Sequence, residues 1–200
     1  MWRNLPAGWL KEEEAEFLGD LVKSVANLEG FFLEIGSWLG RSTVVIGKAA
    51  EKFGGQLYCI DTWNQAGWKE ISKTLPNKRR RFQWEKFEGD AYSIFWQNIK
   101  KNGLEMIVNP IISRSSDIRK KWDAPIRFIF IDGCHYYQFV KDDSFWKKFL
   151  IKDGIIAFHD YDANAWPGVK KAVDEIMDSD KKFKFFKRIR NLKAFKRISK

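Results

Sequence analysis

Cysteine is scarce in this chain: Cys59 and Cys134 are the only two in 200 residues. They lie far apart and without metal-type spacing. Neither a disulfide framework nor a cysteine zinc site is expected, both read as small buried hydrophobes, and a reduced, cytoplasmic setting is the expectation. Long apolar runs are also missing, and none approaches the roughly 20 residues of a membrane span. The opening residues, MWRNLPAGWLKEEEAEF, lack the basic-then-apolar pattern of a secretory signal. With no internal repeat and no low-complexity linker, residues 1–200 read as one domain, large enough to bury a core. What the chain has in quantity is apolar and aromatic surface. It is 44% hydrophobic and 16% aromatic, with ten Trp, which excludes disorder.

Acidic residues are absent from 181–200 (KKFKFFKRIRNLKAFKRISK), which holds ten Lys or Arg. Elsewhere 26 basic residues meet 26 acidic ones, so the net charge of +10 belongs to the tail. A solvated strand face kept from edge pairing by lysines accounts for it. A patch for nucleic acid, an anionic substrate or a membrane surface is the alternative, and NKRRRF at 77–82 adds to it.

Hydrophobic periodicity gives the order of elements. Residues 11–28 repeat apolar positions at helical spacing, with acids in the first turn. FFLEIG reads as a buried strand, RSTVVIGKAAEKF as a helix and QLYCIDTW as a second strand. Residues 62–89 carry Pro, aromatics and basic residues without a period. AYSIFWQNIKKNG is a helix, MIVNPIIS a third strand interrupted near Pro110, and SSDIRKKW a short helix. RFIFIDG is a strand, and YQFVKDDSFWKKFLIKDG a helix running to Gly154. IIAFHDY is a strand, PGVKKAVDEIMDS a helix, and the tail two alternating strands turning at Asn191-Leu192. Strands alternating with helices predict an α/β fold: a Rossmann-like, doubly wound, mostly parallel seven-stranded sheet with helices on both faces and a C-terminal antiparallel hairpin. The segment 1–29 is then a helical N-terminal extension.

Ligands bind such sheets outside the carboxyl ends of the strands. There the sequence puts Glu34 and Gly36, Asp61, then Ser113, Ser115 and Ser116, then Asp132-Gly133-Cys134-His135, and last His159-Asp160-Tyr161. Both histidines of the chain fall on this rim. In GSWLG, Gly36 and Gly40 let backbone approach a ligand at a helix N-terminus, and Glu34 can accept hydrogen bonds. The dinucleotide pattern G-x-G-x-x-G is missing, which argues against a nicotinamide dehydrogenase. Asp61, 21 residues past Gly40, stands where an acid can take both hydroxyls of a ribose.

Taken in order, EIGSWLGRST, YCIDTW, FIFIDGCHYYQFVKDD, DGIIAFHDY and WPGVKKAV resemble the class I S-adenosylmethionine-dependent methyltransferases over residues 30–175. The last three are similar to the small-molecule and sugar O-methyltransferase branch typified by macrocin O-methyltransferase. The resemblance implies S-adenosyl-L-methionine as cofactor. It implies that Glu34, Gly36, Ser37, Gly40 and Ser42 hold the methionine part and Asp61 the ribose. Ser115 and Ser116 fall at the adenine, and Asp132 also borders the cofactor. It further implies a divalent cation (Mg2+, Mn2+ or Zn2+) on Asp132, His159 and Asp160. His159 departs from an all-oxygen set and favours a softer metal than Mg2+.

For chemistry, His135 and His159 are candidate general bases with Asp132 beside them, since imidazole titrates near neutral pH. Tyr136, Tyr137, Tyr161 and Trp166 flank the rim as packing residues or stacking surfaces. Residues 62–89, with Trp63, Trp68 and Trp84, are expected to form a substrate lid. The expected partner is a small hydroxyl acceptor, such as a sugar. RNA or another polyanion is the alternative, as is a non-catalytic nucleotide-binding module on the same fold. The sequence leaves a homo-oligomer open.

Overall fold

The computed structural model describes residues 2, 4–64 and 89–199. The proposed lid, including Trp68, Trp84 and the NKRRRF cluster, therefore lies outside the described residues except at its edges. The elements run α1 (Glu12–Ser24), β1 (Phe31–Ile35), α2 (Arg41–Glu51), β2 (Leu57–Asp61), α3 (Ala91–Lys101), β3 (Val108–Ile112) and α4 (Ser115–Arg119). They continue with β4 (Ile126–Ile131), α5 (Tyr137–Ser144), β5 (Leu150–Phe158), α6 (Pro167–Val173), β6 (Phe183–Ile189) and β7 (Leu192–Arg197). A 3₁₀ turn, Phe145–Phe149, links α5 to β5.

The strands form one sheet in the order β3-β2-β1-β4-β5-β7-β6. The five strands from β3 to β5 are mutually parallel, and β7 joins β5 antiparallel. Strand order reverses between β1 and β4, and that break is where such sheets leave a crevice. Alternation along the strands separates two cores. Phe32, Phe128 and Phe130 face α1, α2 and α3, whereas Leu33, Ile35, Ile129 and Ile131 face α5 and α6. Glu34 shares the face of Phe32, so its carboxylate points under α2. The helices form for local reasons. Three acids open α1, the Asp90 side chain accepts from Tyr92 N at 3.1 Å to cap α3, and Pro167 starts α6.

Three local expectations are corrected. β3 is uninterrupted, with Pro110 paired opposite Cys59. It is an edge strand, where one side needs no partner and a missing N–H is tolerated. The helix expected over 137–154 stops at Ser144, and Leu150 already pairs with Ile126. Residues 151–154 form an irregularity in that ladder. Asp153 has φ +67°, and a Cβ on Gly154 would lie 2.9 Å from the Arg127 and Ile151 carbonyl oxygens. Asp-Gly thus marks a bulge within the strand rather than a helix end. The hairpin turn is Arg190-Asn191, with Arg190 at φ +50°, because Ile189 pairs with Leu192. No helix among the described residues is long and apolar enough to cross a membrane.

Candidate active site

The glycine loop between β1 and α2 is built by two carboxylates, one buried and one half-buried. Glu34 is fully buried and accepts from the hydroxyls of Ser37 at 2.7 Å, Ser42 at 2.5 Å and Thr43, and from the Cys59 thiol at 3.5 Å. Burial raises its pKa to about 7 against the opposing pull of those donors. Its oxygens thus face the loop and the first turn of α2. Cys59 is a weak fourth donor and not only a small hydrophobe. Asp61 accepts from Trp38 N at 2.9 Å and Trp63 N at 2.8 Å. Burial raises its pKa while these backbone donors oppose the shift. The Ser37 and Thr62 backbone N–H groups also act on Asp61, so a ligand hydroxyl there shares the carboxylate with the donors of the loop.

Gly36 and Gly40 both have φ +87°, and Trp38 between them has φ +43°. At Gly36 a Cβ would sit 2.3 Å from the Asp132 carbonyl oxygen. The first glycine therefore lets β1's loop touch the end of β4. Residues outside the loop hold it as well. Trp9 stacks on Trp38 with ring centroids 4.5 Å apart. Arg41 donates to the carbonyls of Pro6 and Leu10, each at 2.7 Å. Trp63, expected in the lid, is 6% exposed, packs on Tyr92 and Phe95, and donates to the Trp38 carbonyl at 2.7 Å.

The ends of β4 and β5 gather four titratable side chains. His135 Nε2 lies 3.4 Å from Asp132 Oδ1 and 3.0 Å from Asp160 Oδ2. His159 Nδ1 lies 3.2 Å from Asp132 Oδ1 and 3.9 Å from Asp160 Oδ2. Burial alone would lower both imidazole pKa values. Asp132 and Asp160 outweigh it at His135, raising its pKa to about 9, and Asp132, Glu14 and Asp160 together raise His159 well above its ordinary value. The reverse holds for Asp132 and Asp160, where burial would raise the pKa and the histidines hold both below the usual range. A cavity of about 10 Å3, the size of one water, lies among Asp132, His135, Val140, His159 and Val169. Ligand atoms of Asp132, His159 and Asp160 lie within 4.8 Å of one another, so this mixed nitrogen and oxygen set fits a divalent cation.

Other rim residues divide into those brought together and those drawn aside. Ser115 opens α4 and donates to Asp143 of α5, so its hydroxyl is engaged. Ser116 also lies in this first turn. Asp143 is 7% exposed, and burial raises its pKa to about 7. Trp166 stacks on His135 at 4.7 Å, with 18° between the rings. Tyr161 is buried and bonds Asp174, Lys170 and Lys193, and Tyr137 bonds Glu175 and Lys141. Tyr136 is 38% exposed at the rim. Sequence reasoning missed Asp143 and Glu14. The carboxylate of Glu14 on α1 is 3.4 Å from His159 Nε2. Its signal was its place on the buried stripe of α1 with Leu18, Leu21 and Val22.

This geometry coincides with what other proteins share. A family model described as a methyltransferase domain matches residues 33–161, from β1 through the rim of β5. Among solved structures, the O-methyltransferase NovP superposes with a TM-score of 0.73 at 17% identity, covering 97% of this chain and 84% of that one. The O-methyltransferase TomG from Streptomyces achromogenes, solved with S-adenosylmethionine, gives 0.69 at 14% identity, covering 98% and 84%. CalS11, a TDP-rhamnose 3'-O-methyltransferase, gives 0.62 at 12% identity, covering 94% and 81%. At such identities the superpositions speak for the fold. The family model spans most of the chain, including the loop and rim described above, and the chain belongs to the methyltransferase domain family.

Proposed function

We propose that this methyltransferase carries the methyl group of S-adenosylmethionine to a hydroxyl of a small molecule, with a sugar hydroxyl as the favoured acceptor. One observation carries the reading: the glycine loop fixed by Glu34 and Asp61 is in backbone contact with Asp132. A donor on that loop lies beside the Asp132, His135, His159 and Asp160 cluster. The complex of TomG with S-adenosylmethionine and the TDP-rhamnose specificity of CalS11 support the donor and acceptor classes.

Methyl transfer is an in-line displacement, so the protein aligns three atoms and removes one proton. Asp61, half-buried at the carboxyl end of β2, accepts the ribose hydroxyls. Glu34 acts on the donor through the loop, by fixing Ser37, Ser42 and Thr43. Asp132, His159 and Asp160 would hold a divalent cation, which lowers the pKa of a bound hydroxyl. With its pKa near 9, His135 carries a proton at neutral pH and lies across Asp132 and Asp160. It serves as a base only when another charge occupies those carboxylates.

A polyanionic acceptor finds little support at this rim. Arg119, Lys147, Lys148, Lys182 and Arg197 line a groove of about 660 Å3 on the side of the sheet where β5 begins and β7 ends. That is the edge opposite His159.

Calorimetry tests the donor. Wild type should bind S-adenosylmethionine saturably, and Asp61→Ala should weaken binding at least tenfold. Absence of saturable binding by wild type would reject the reading. Transfer to a panel of nucleotide-sugar hydroxyls, with and without EDTA, tests acceptor and cation separately.

A further inference from the structure

We propose that Glu14 is a positioning residue of the catalytic rim. It holds the His159 ring by its Nε2 edge, so that Nδ1 is presented to Asp132 and Asp160. This rests on the reading of that rim as the site of methyl transfer. Glu14 belongs to α1, a helix outside the residues matched by the methyltransferase domain model, and no rim residue precedes it in sequence.

The geometry is specific. Glu14 is 2% exposed, and His159 is 4% exposed. Glu14 Oε2 faces His159 Nε2 at 3.4 Å and accepts from Lys11 N at 2.9 Å, while Oε1 accepts from Asn191 N at 3.1 Å. The carboxylate therefore cannot swing without releasing two backbone N–H groups, and it forms a fixed wall behind the ring. On the ring's other edge, Nδ1 lies 3.2 Å from Asp132 Oδ1. An imidazole pinned between two carboxylates on opposite nitrogens has its orientation fixed, and only the Nδ1 edge opens onto the cluster. Carboxylate-to-histidine contacts of this kind orient metal-ligating imidazoles, and their loss typically costs tenfold to hundredfold in metal affinity.

The buried acid has a further consequence. It joins three separate parts of the chain: the start of α1, the end of β5 and the β6–β7 turn. The N-terminal segment, which meets Arg41 and Trp38 through residues 6–10, thus reaches the acceptor rim one turn later through Glu14 of α1.

The test uses full-length wild type, Glu14→Gln and Glu14→Ala, with circular dichroism confirming the fold. Gln is isosteric and its one amide oxygen keeps one of the two backbone N–H contacts, so it is the milder variant and remains interpretable if Ala fails to fold. Only two histidines are present, so 15N-histidine labelling resolves both rings, and His159→Ala assigns them. Wild type should show an exchange-protected His159 Nε2–H. Glu14→Gln should shift that resonance, and Glu14→Ala should abolish its protection, with His135 unchanged. In parallel, calorimetric titration of Mn2+ should show binding about tenfold weaker for Gln and up to about hundredfold weaker for Ala. The affinity for S-adenosylmethionine should stay within about twofold. A structural clamp alone would lower Tm and leave the ring resonance and Mn2+ affinity untouched, and that result overturns the proposal. If wild type takes up no Mn2+ but the ring resonance still depends on Glu14, the positioning role stands and the cation reading falls.

Discussion

Gly36 shows how much one missing side chain can decide. Its φ of +87° disfavours any L side chain, and a Cβ would meet the Asp132 carbonyl at 2.3 Å. Neither the backbone of β1's loop nor that of β4's end can retreat cheaply. Gly36→Ala should therefore destabilise the protein by more than about 2 kcal/mol, read as a lowered denaturant midpoint. Glu34 makes a prediction with a sign. Its pKa rises from an ordinary 4.5 to about 7 on folding, so between those values the folded state holds a proton that the unfolded state has lost. Stability must then fall as pH rises from about 4.5 to 7, by up to about 1.4 kcal/mol per pH unit from this group, and level off above. Asp143 adds a slope of the same sign up to about pH 7. Glu34→Gln should flatten its share of the slope in urea titrations taken across that range. An unchanged slope would mean that Glu34 is ionised throughout. Sequence spacing placed Glu34 at the loop but not its orientation. That depends on Ser42, Thr43 and Cys59 arriving from α2 and β2, a tertiary fact.

At the scale of elements, strands with near-continuous burial were the most legible. β4, with six consecutive buried residues, and β1 match their sequence signals closely. The start of β5 did not, because Leu150 to Gly154 is a bulged segment whose mixed polarity imitates a helix end. The N-terminal extension was read as a helix, but its use was not. Residues 6–10 lie along α2 as a strap, held by two Arg41 hydrogen bonds and by the Trp9–Trp38 stack. These contacts join residues some 30 positions apart, which no local period reveals. Arg41→Ala removes both hydrogen bonds and frees two carbonyls. It should raise hydrogen exchange in residues 5–10 and weaken S-adenosylmethionine binding several-fold, because Trp38 loses the backing of Trp9. Unchanged exchange across that segment would show that the strap is held by α1 alone.

Across the whole molecule, the basic groove and the rim chemistry lie at opposite ends of the parallel strands, while Arg188, Arg190 and Lys193 near the hairpin turn border the rim in bonds to Asp162, Glu13 and Tyr161. The tail's excess of basic residues was legible from composition, and so was its place on a terminal hairpin. β6 turns Lys184, Lys187 and Arg188 to solvent on an unpaired edge, as expected of a strand protected from edge pairing. Other cations of the groove are committed internally. Arg197 donates to the carbonyls of Lys147, Lys148 and Leu150, Arg119 pairs with Asp142, and Lys147 pairs with Asp180. β4, running from the groove's side of the sheet to the rim, has six residues, so at about 3.3 Å per residue the two are separated by roughly 20 Å. That exceeds the roughly 8 Å Debye length at physiological ionic strength, so the groove's exposed charges are largely screened at the rim. Reversing charge at Lys148 and Lys182 together should therefore leave S-adenosylmethionine affinity within about twofold and leave methyl transfer to a small hydroxyl acceptor unchanged at 0.15 M salt. A polyanionic acceptor drawn across this surface would behave otherwise. Its KM would rise with salt in the wild type, and the double substitution would raise it further at low salt than at high. Measuring KM for one acceptor over a salt series, in both proteins, separates a surface that keeps an edge strand solvated from one that recruits substrate.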